Sequence, residues 1–129
     1  MAQARTQAQQ AAPALADVVD TAHLARYTMG DEGLERELLR MFAAQAGELL
    51  ATLEKAEDRE AWRLAAHTLK GAARAIGAFP IAEEAARLER LSPQEGRRVL
   101  DVLRRRIARF KEAFHHWEEG FSRYDSECA

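Results

Sequence analysis

Large apolar residues recur at intervals of three, four and seven along one stretch, at Leu34, Leu38, Met41, Phe42, Leu49 and Leu53, with no proline between them. Residues at those separations share one side of an α-helix, so the segment from about Asp31 to Glu57 reads as a helix with one buried face. Composition extends this conclusion to the rest of the chain: alanine occurs 27 times, and Val, Ile and Thr together only 12 times. Alanine gives up no rotamer freedom in a helix, whereas β-branched side chains are held stiffly at χ1. The chain is therefore expected to be all-α.

Helix breakers place the ends of the elements. Residues 1–14, rich in Ala and Gln, carry almost nothing large to bury and read as an N-terminal tail. Leu15, Val18, Val19 and Leu24 give a short helix from about Leu15 to Thr28, ended by Gly30-Asp31-Glu32-Gly33. A third helix is expected from about Asp58, a residue suited to an N-cap, to Gly77, whose missing Cβ suits a helix end. The Gly77-Ala78-Phe79-Pro80 link is short, so a fourth helix, about Pro80 to Leu91, should fold back along the third with Ile81, Ala85 and Leu88 inward. Ser92-Pro93-Gln94-Glu95 combines a capping box with proline at the first helical position and opens a fifth helix ending near Glu119. Its stripe is Val99, Leu103, Ile107, Phe110, Phe114 and Trp117, and residues 120–129 have no such pattern and read as a C-terminal tail. The expected architecture is one domain over 15–119, an antiparallel four-helix bundle with a short extra N-terminal helix.

Several function classes are disfavoured at this level. The 19 Lys and Arg nearly cancel the 21 Asp and Glu, so no strong field favours nucleic acid or an anionic membrane. Arg104-Arg105-Arg106 is a run of cations, but consecutive helix residues point in different directions and the run reads as a solvated face. One cysteine, Cys128, allows neither an internal disulfide nor a Cys-based metal site. His115 and His116 are adjacent, hence about 100° apart on a helix with no third ligand placed to join them, and no metal is expected. No apolar run reaches the roughly 18 residues that span a bilayer, and no apolar core of a secretory signal follows the N-terminus. The cytoplasm is the expected location.

The third helix carries the chemistry. At about 100° per residue, Trp62, Ala65, Leu69, Ala72, Ala73 and Ile76 cluster on one side, and His67 lies opposite them. Arg63, Lys70, Gly71 and Arg74 share its face at separations of three, four and seven. Cations around a histidine disfavour the imidazolium, and this helix supplies no carboxylate to offset them, so the arrangement suits an imidazole that carries an anion. Basic positions are filled by Arg 16 times and Lys only three times, so Lys70 departs from the chain's habit with a compact, movable charge. Gly71, mid-helix, costs about 1 kcal/mol relative to alanine and leaves the flank of His67 open to another protein.

The string Ala66-His67-Thr68-Leu69-Lys70-Gly71, followed by Ile76-Gly77-Ala78, closely resembles the phosphorylation motif of histidine-containing phosphotransfer domains. The resemblance covers about Val18 to Leu91, taking in the Gly30-Asp31 turn, the Phe42 helix, Trp62 and Leu88-Glu89; the last helix agrees only in being amphipathic. It implies that His67 accepts a phosphoryl group from a receiver-domain aspartate and hands it to another receiver. It implies further that Lys70 lies near the phosphoryl group, that Gly71 admits the receiver, and that Glu89, on the following helix, takes the place of a polar residue that hydrogen-bonds the histidine.

The partners implied are receiver domains of a hybrid histidine kinase and of response regulators, met transiently by a monomeric carrier. Mg²⁺ belongs to the receiver, and this chain is expected to need no cofactor of its own. A neutral imidazole is nucleophilic near its ordinary pKa of about 6.5, and phosphoryl transfer mainly demands positioning and charge neutralisation. Arg63 and Arg74 could assist Lys70, with Thr68 beside the histidine. No Gly-rich phosphate loop is present to hold ATP, so a carrier rather than a kinase is expected. Histidine-kinase dimerisation domains place an acidic residue after their histidine, where Thr68 stands here. The competing readings are a helical adaptor that is never phosphorylated, and a sink that drains one receiver without passing the group onward.

Overall fold

Side-chain caps open four helices, at Asp31, Asp58 and Ser92 where the sequence places a start and at Asp20 where it does not. Asp20, Asp31 and Asp58 each accept a hydrogen bond from the backbone N–H three residues on, at 3.0, 3.1 and 3.1 Å. Ser92 and Glu95 form the expected capping box, each side chain accepting from the other's backbone N–H at 3.2 Å. The computed structural model describes residues 11–128, with side chains described as far as residue 120. Residues 1–10 of the expected N-terminal tail, and the Cys128 side chain, lie outside that description. The described residues form α1 (Leu15–Val18), α2 (Thr21–Thr28), α3 (Glu32–Lys55), α4 (Arg59–Ile76), α5 (Phe79–Glu89), α6 (Pro93–Arg98) and α7 (Leu100–Cys128).

The core belongs to four of these. α3 packs on α4, α4 on α5, α5 on α7, and α7 closes the ring on α3. Glu54 meets Arg104 and Arg36 meets Glu118, so residue numbers fall along α7 as they rise along α3 and the two helices are antiparallel. Trp62 near the start of α4 bonds Leu88 near the end of α5, which makes that pair antiparallel too. The expected all-α bundle is the observed architecture, with α1 laid on α7 and α2 laid on α3 and α4. Trp62, Leu69, Leu88, Leu103 and Phe110 are all fully buried at its centre.

Four expectations need correction. The single helix expected over 15–28 is two, because Val19 is extended (φ −133°, ψ 137°) and Asp20 restarts the helix as an N-cap. The Asp20 N–H is bonded to the Gly77 carbonyl at 2.9 Å, which hooks this break onto the turn between α4 and α5. Leu34 and Met41, expected in the buried stripe of α3, are 41% and 62% exposed. The buried stripe runs instead through Leu39, Phe42, Ala46 and Leu53, and Leu34 and Met41 lie roughly 110–130° to one side of its centre. The fifth expected helix breaks at Val99 (φ −113°, ψ 13°) into α6 and α7. Finally, α7 continues to Cys128 rather than ending near Glu119, since Gly120 weakens a helix by only about 1 kcal/mol and no proline follows it.

Two glycines are required by close approach. Gly77 ends α4 with φ +85°, and a Cβ there would stand 2.9 Å from the Asp20 carbonyl oxygen. At Gly96 a Cβ would fall within 1.9 Å of the Trp62 ring, so α6 lies directly on that tryptophan.

Candidate functional site

Burial sets the orientation of α4. Trp62, Ala65, Ala66, Leu69, Ala73 and Ile76 are buried, which leaves the opposite side of the helix in solvent. His67 stands there with its side chain 58% exposed, as the wheel requires. Arg63, Gly71 and Arg74 are exposed on the same side, and Thr68 and Lys70 are half-buried. Among the described residues neither Arg63 nor Arg74 has an ionic partner, so both cations remain available beside the histidine.

The carboxylate that α4 lacks comes from α5. Trp62 donates its indole N–H to the Leu88 carbonyl at 2.7 Å, a carbonyl that also accepts the Leu91 N–H at 3.0 Å just past the end of α5. That bond fixes the last turn of α5 against α4, and the next residue, Glu89, turns its carboxylate to the histidine. His67 Nδ1 lies 2.8 Å from Glu89 Oε1, and Lys70 Nζ donates to Glu89 Oε2 at 2.6 Å. One carboxylate thus holds both the imidazole and the ammonium. The hydrogen bond from Lys70, with a further one from His67, keeps the Glu89 carboxyl below its ordinary range against the opposing effect of burial.

This geometry defines the imidazole's chemistry. An ionised carboxylate only accepts hydrogen bonds, so Nδ1 must carry the proton and, in the neutral ring, Nε2 carries the lone pair. The nucleophilic nitrogen is therefore the one turned away from Glu89, on a ring exposed to solvent. Gly71, one turn beyond, has open space where its Cβ would be, with no described atom within 4 Å apart from its chain neighbours and its own helix backbone. The bundle itself has no steric need for glycine there.

The structure thus brings His67, Lys70 and Glu89 into direct contact, and places Arg63, Thr68, Gly71 and Arg74 around them without a bond to the ring. Sequence reasoning missed two features. The pairing of Lys70 with Glu89 joins α4 to α5, and its sequence signal is weak: a lone lysine among arginines and an acid 19 residues later. Leu64 is 58% exposed three residues before His67, an apolar side chain on the solvent face that the wheel of buried residues had not singled out. His115, set aside as a metal ligand, is paired with Glu119 at 3.1 Å.

The model of the Hpt domain family matches residues 37–119, about two thirds of the chain, and the protein belongs to that family. The match begins later than the resemblance at Val18 and runs beyond Leu91 through α6 and into α7. Domains of this family carry phosphoryl groups on a histidine in two-component phosphorelays, act as carriers rather than kinases, and meet receiver domains transiently. No curated protein and no solved structure matches the chain. Among the described residues no helix is long and apolar enough to cross a membrane.

Proposed function

We propose that this protein accepts a phosphoryl group on His67 from the phospho-aspartate of one receiver domain and passes it to another, in a multistep relay. The observation that carries this reading is the exposed His67 ring with Nδ1 bonded to Glu89, which leaves Nε2 as the free nucleophile. In-line attack on a mixed anhydride needs the lone pair aimed outward and charge neutralised at the equatorial oxygens. Lys70 supplies part of that neutralisation, with Arg63 and Arg74 adding to the local positive potential and Thr68 lying alongside. Gly71 leaves room for the receiver's active-site loops. The receiver brings the aspartate and Mg²⁺, so this chain needs no metal or nucleotide of its own, and it works in the cytoplasm.

The docking surface follows from what is exposed around the histidine. Leu64 lies one turn before it on α4, and Leu34 and Met41 leave an apolar flank on neighbouring α3. Apolar area of this modest extent suits a transient encounter by a monomeric carrier rather than a permanent complex. The test is radiolabel transfer from a panel of phosphorylated receivers in Mg²⁺, with an ATP-only control and the H67Q variant. Label that depends on His67 and moves on to a second receiver supports the relay. Label that returns only to its donor would make the protein a sink, and receiver binding without any label would make it an adaptor.

A further inference from the structure

The arginine run of α7 divides by direction. Arg104 is paired with Asp101 at 2.6 Å and with Glu54 of α3 at 3.6 Å. Arg105, Arg106 and Arg109, with half-buried Val102, instead lie within about 100° of one another on another side of the helix. Arg106 ties that side to α5, donating to the Pro80 carbonyl at 2.6 Å and standing 3.7 Å from Glu84 Oε2. Arg87 of α5 approaches the same oxygen at 3.7 Å, so one carboxylate draws guanidiniums from two helices to one groove. Among the described residues Arg105 and Arg109 have no ionic partner. Two features of this groove work against stability. The Glu84 side chain is only 3% exposed, its ion pairs are longer than hydrogen bonds, and its Oε1 has no partner among the described residues. Arg105 and Arg109, four residues apart, repel each other.

Independently of the carrier reading, we propose that the groove between α5 and α7 docks a short glutamate-rich segment of a partner protein. Where α1, α5 and α7 meet, a cleft is lined by Arg106 and Arg109 together with Val18, Ile81 and Phe110. It offers apolar contact to the methylenes of a glutamate and planar guanidiniums to its carboxylate. Asp17, an acid in the same lining, is already engaged by the Ala14 N–H at 2.9 Å. Exposed Glu83 and Glu112 stand one turn from Arg87 and Arg109 and bound the basic stretch, and the net charge of −2 gives no long-range pull on DNA or an anionic bilayer. A short acidic segment fits those limits; an extended polyanion does not. Glu84 and Glu89 lie about 140° apart around α5, so the groove is on a different flank from His67 and both can be occupied together. A partner held there would meet the histidine face at a raised effective concentration.

The test titrates the full chain, ¹⁵N-labelled, with a synthetic peptide of glutamates and glycines blocked at both ends, and follows the backbone amides by NMR. The expected result is a saturable set of shifts within residues 84–87 and 102–109, weakening as salt is added. The double variant Arg105→Glu/Arg109→Glu, at two exposed positions without ionic partners, should bind the peptide at least about tenfold more weakly. Arg63→Glu/Arg74→Glu, which reverses the cations beside His67, should leave the affinity within about twofold of the wild type. Phosphoramidate, a small donor that reacts with exposed imidazoles and needs no receiver, should label His67 equally fast with the groove filled or empty. No shift at millimolar peptide, shifts centred on residues 63–74, or equal losses in the two double variants would overturn the proposal. So would slower labelling of His67 in the presence of peptide, which would place the segment on the histidine face. Tighter binding of duplex DNA or phosphatidylserine vesicles than of the peptide, through the same arginines, would overturn it in favour of a different partner.

Discussion

Trp62 donates its indole N–H to the carbonyl of Leu88 at 2.7 Å, and the next residue along α5 is Glu89, which holds His67 and Lys70. A core contact therefore sets the position of the surface site. The Trp62→Phe variant loses that bond, leaves the Leu88 carbonyl with its bond from the Leu91 N–H, and opens space beneath Gly96. Urea unfolding should show a loss of roughly 2–4 kcal/mol, and labelling by a receiver should slow several-fold under conditions where the variant is still folded. Unchanged labelling in the folded variant would show that the end of α5 is held by other contacts.

Gly71 separates stability from function. A Cβ there would meet no described atom beyond its chain neighbours and its own helix backbone, so Gly71→Ala should stabilise the helix by about 0.5–1 kcal/mol. A long side chain at the same place, as in Gly71→Gln, should cut phosphoryl transfer from a receiver at least about tenfold, a loss of roughly 1.4 kcal/mol in the transition state. Labelling by phosphoramidate should barely change. Equal loss with both donors would mean that Gln disturbs His67 itself rather than blocking a partner.

The Glu89 carboxyl also makes acid stability predictable in sign. Its folded-state pKa lies below the ordinary value of 4.5, chiefly because of the hydrogen bond from Lys70. A group with a depressed folded pKa contributes stability that is present above the unfolded value and lost as pH falls through the folded one. The stability gap between wild type and Glu89→Gln should thus be open at about pH 5 and close on acidification toward about pH 3, as read from urea midpoints across that range. A gap that widened on acidification would contradict the assignment.

What could be read from the sequence follows from how local each feature is. The caps at Asp58 and Ser92, the stop at Gly77 and the wheel placing His67 opposite Trp62 and Leu69 depend on neighbours within a turn or two, and these expectations match the structure. The features that escaped depend on distant residues. The break at Val19 is held by the Gly77 carbonyl, 57 positions from its partner Asp20, and no local pattern encodes it. On α3 the apolar arc is wider than the buried stripe, so spacing alone could not tell that Leu34 and Met41 face solvent while Leu39 and Ala46 face the core. The resemblance placed Glu89 beside His67. The wheel of α4 alone showed only that a carboxylate was missing, and that Lys70 shares it required the antiparallel packing of α5.

The measurement that tests the central claim most directly is the chemical identity of the labelled residue after transfer from a phosphorylated receiver. The expected result is a single phosphoryl group, stable in alkali and lost in acid, that maps to Nε2 of His67 and is absent from H67Q. Label that persists in H67Q, or that maps to His23, His115, His116 or an acid-stable hydroxyl, would contradict the account.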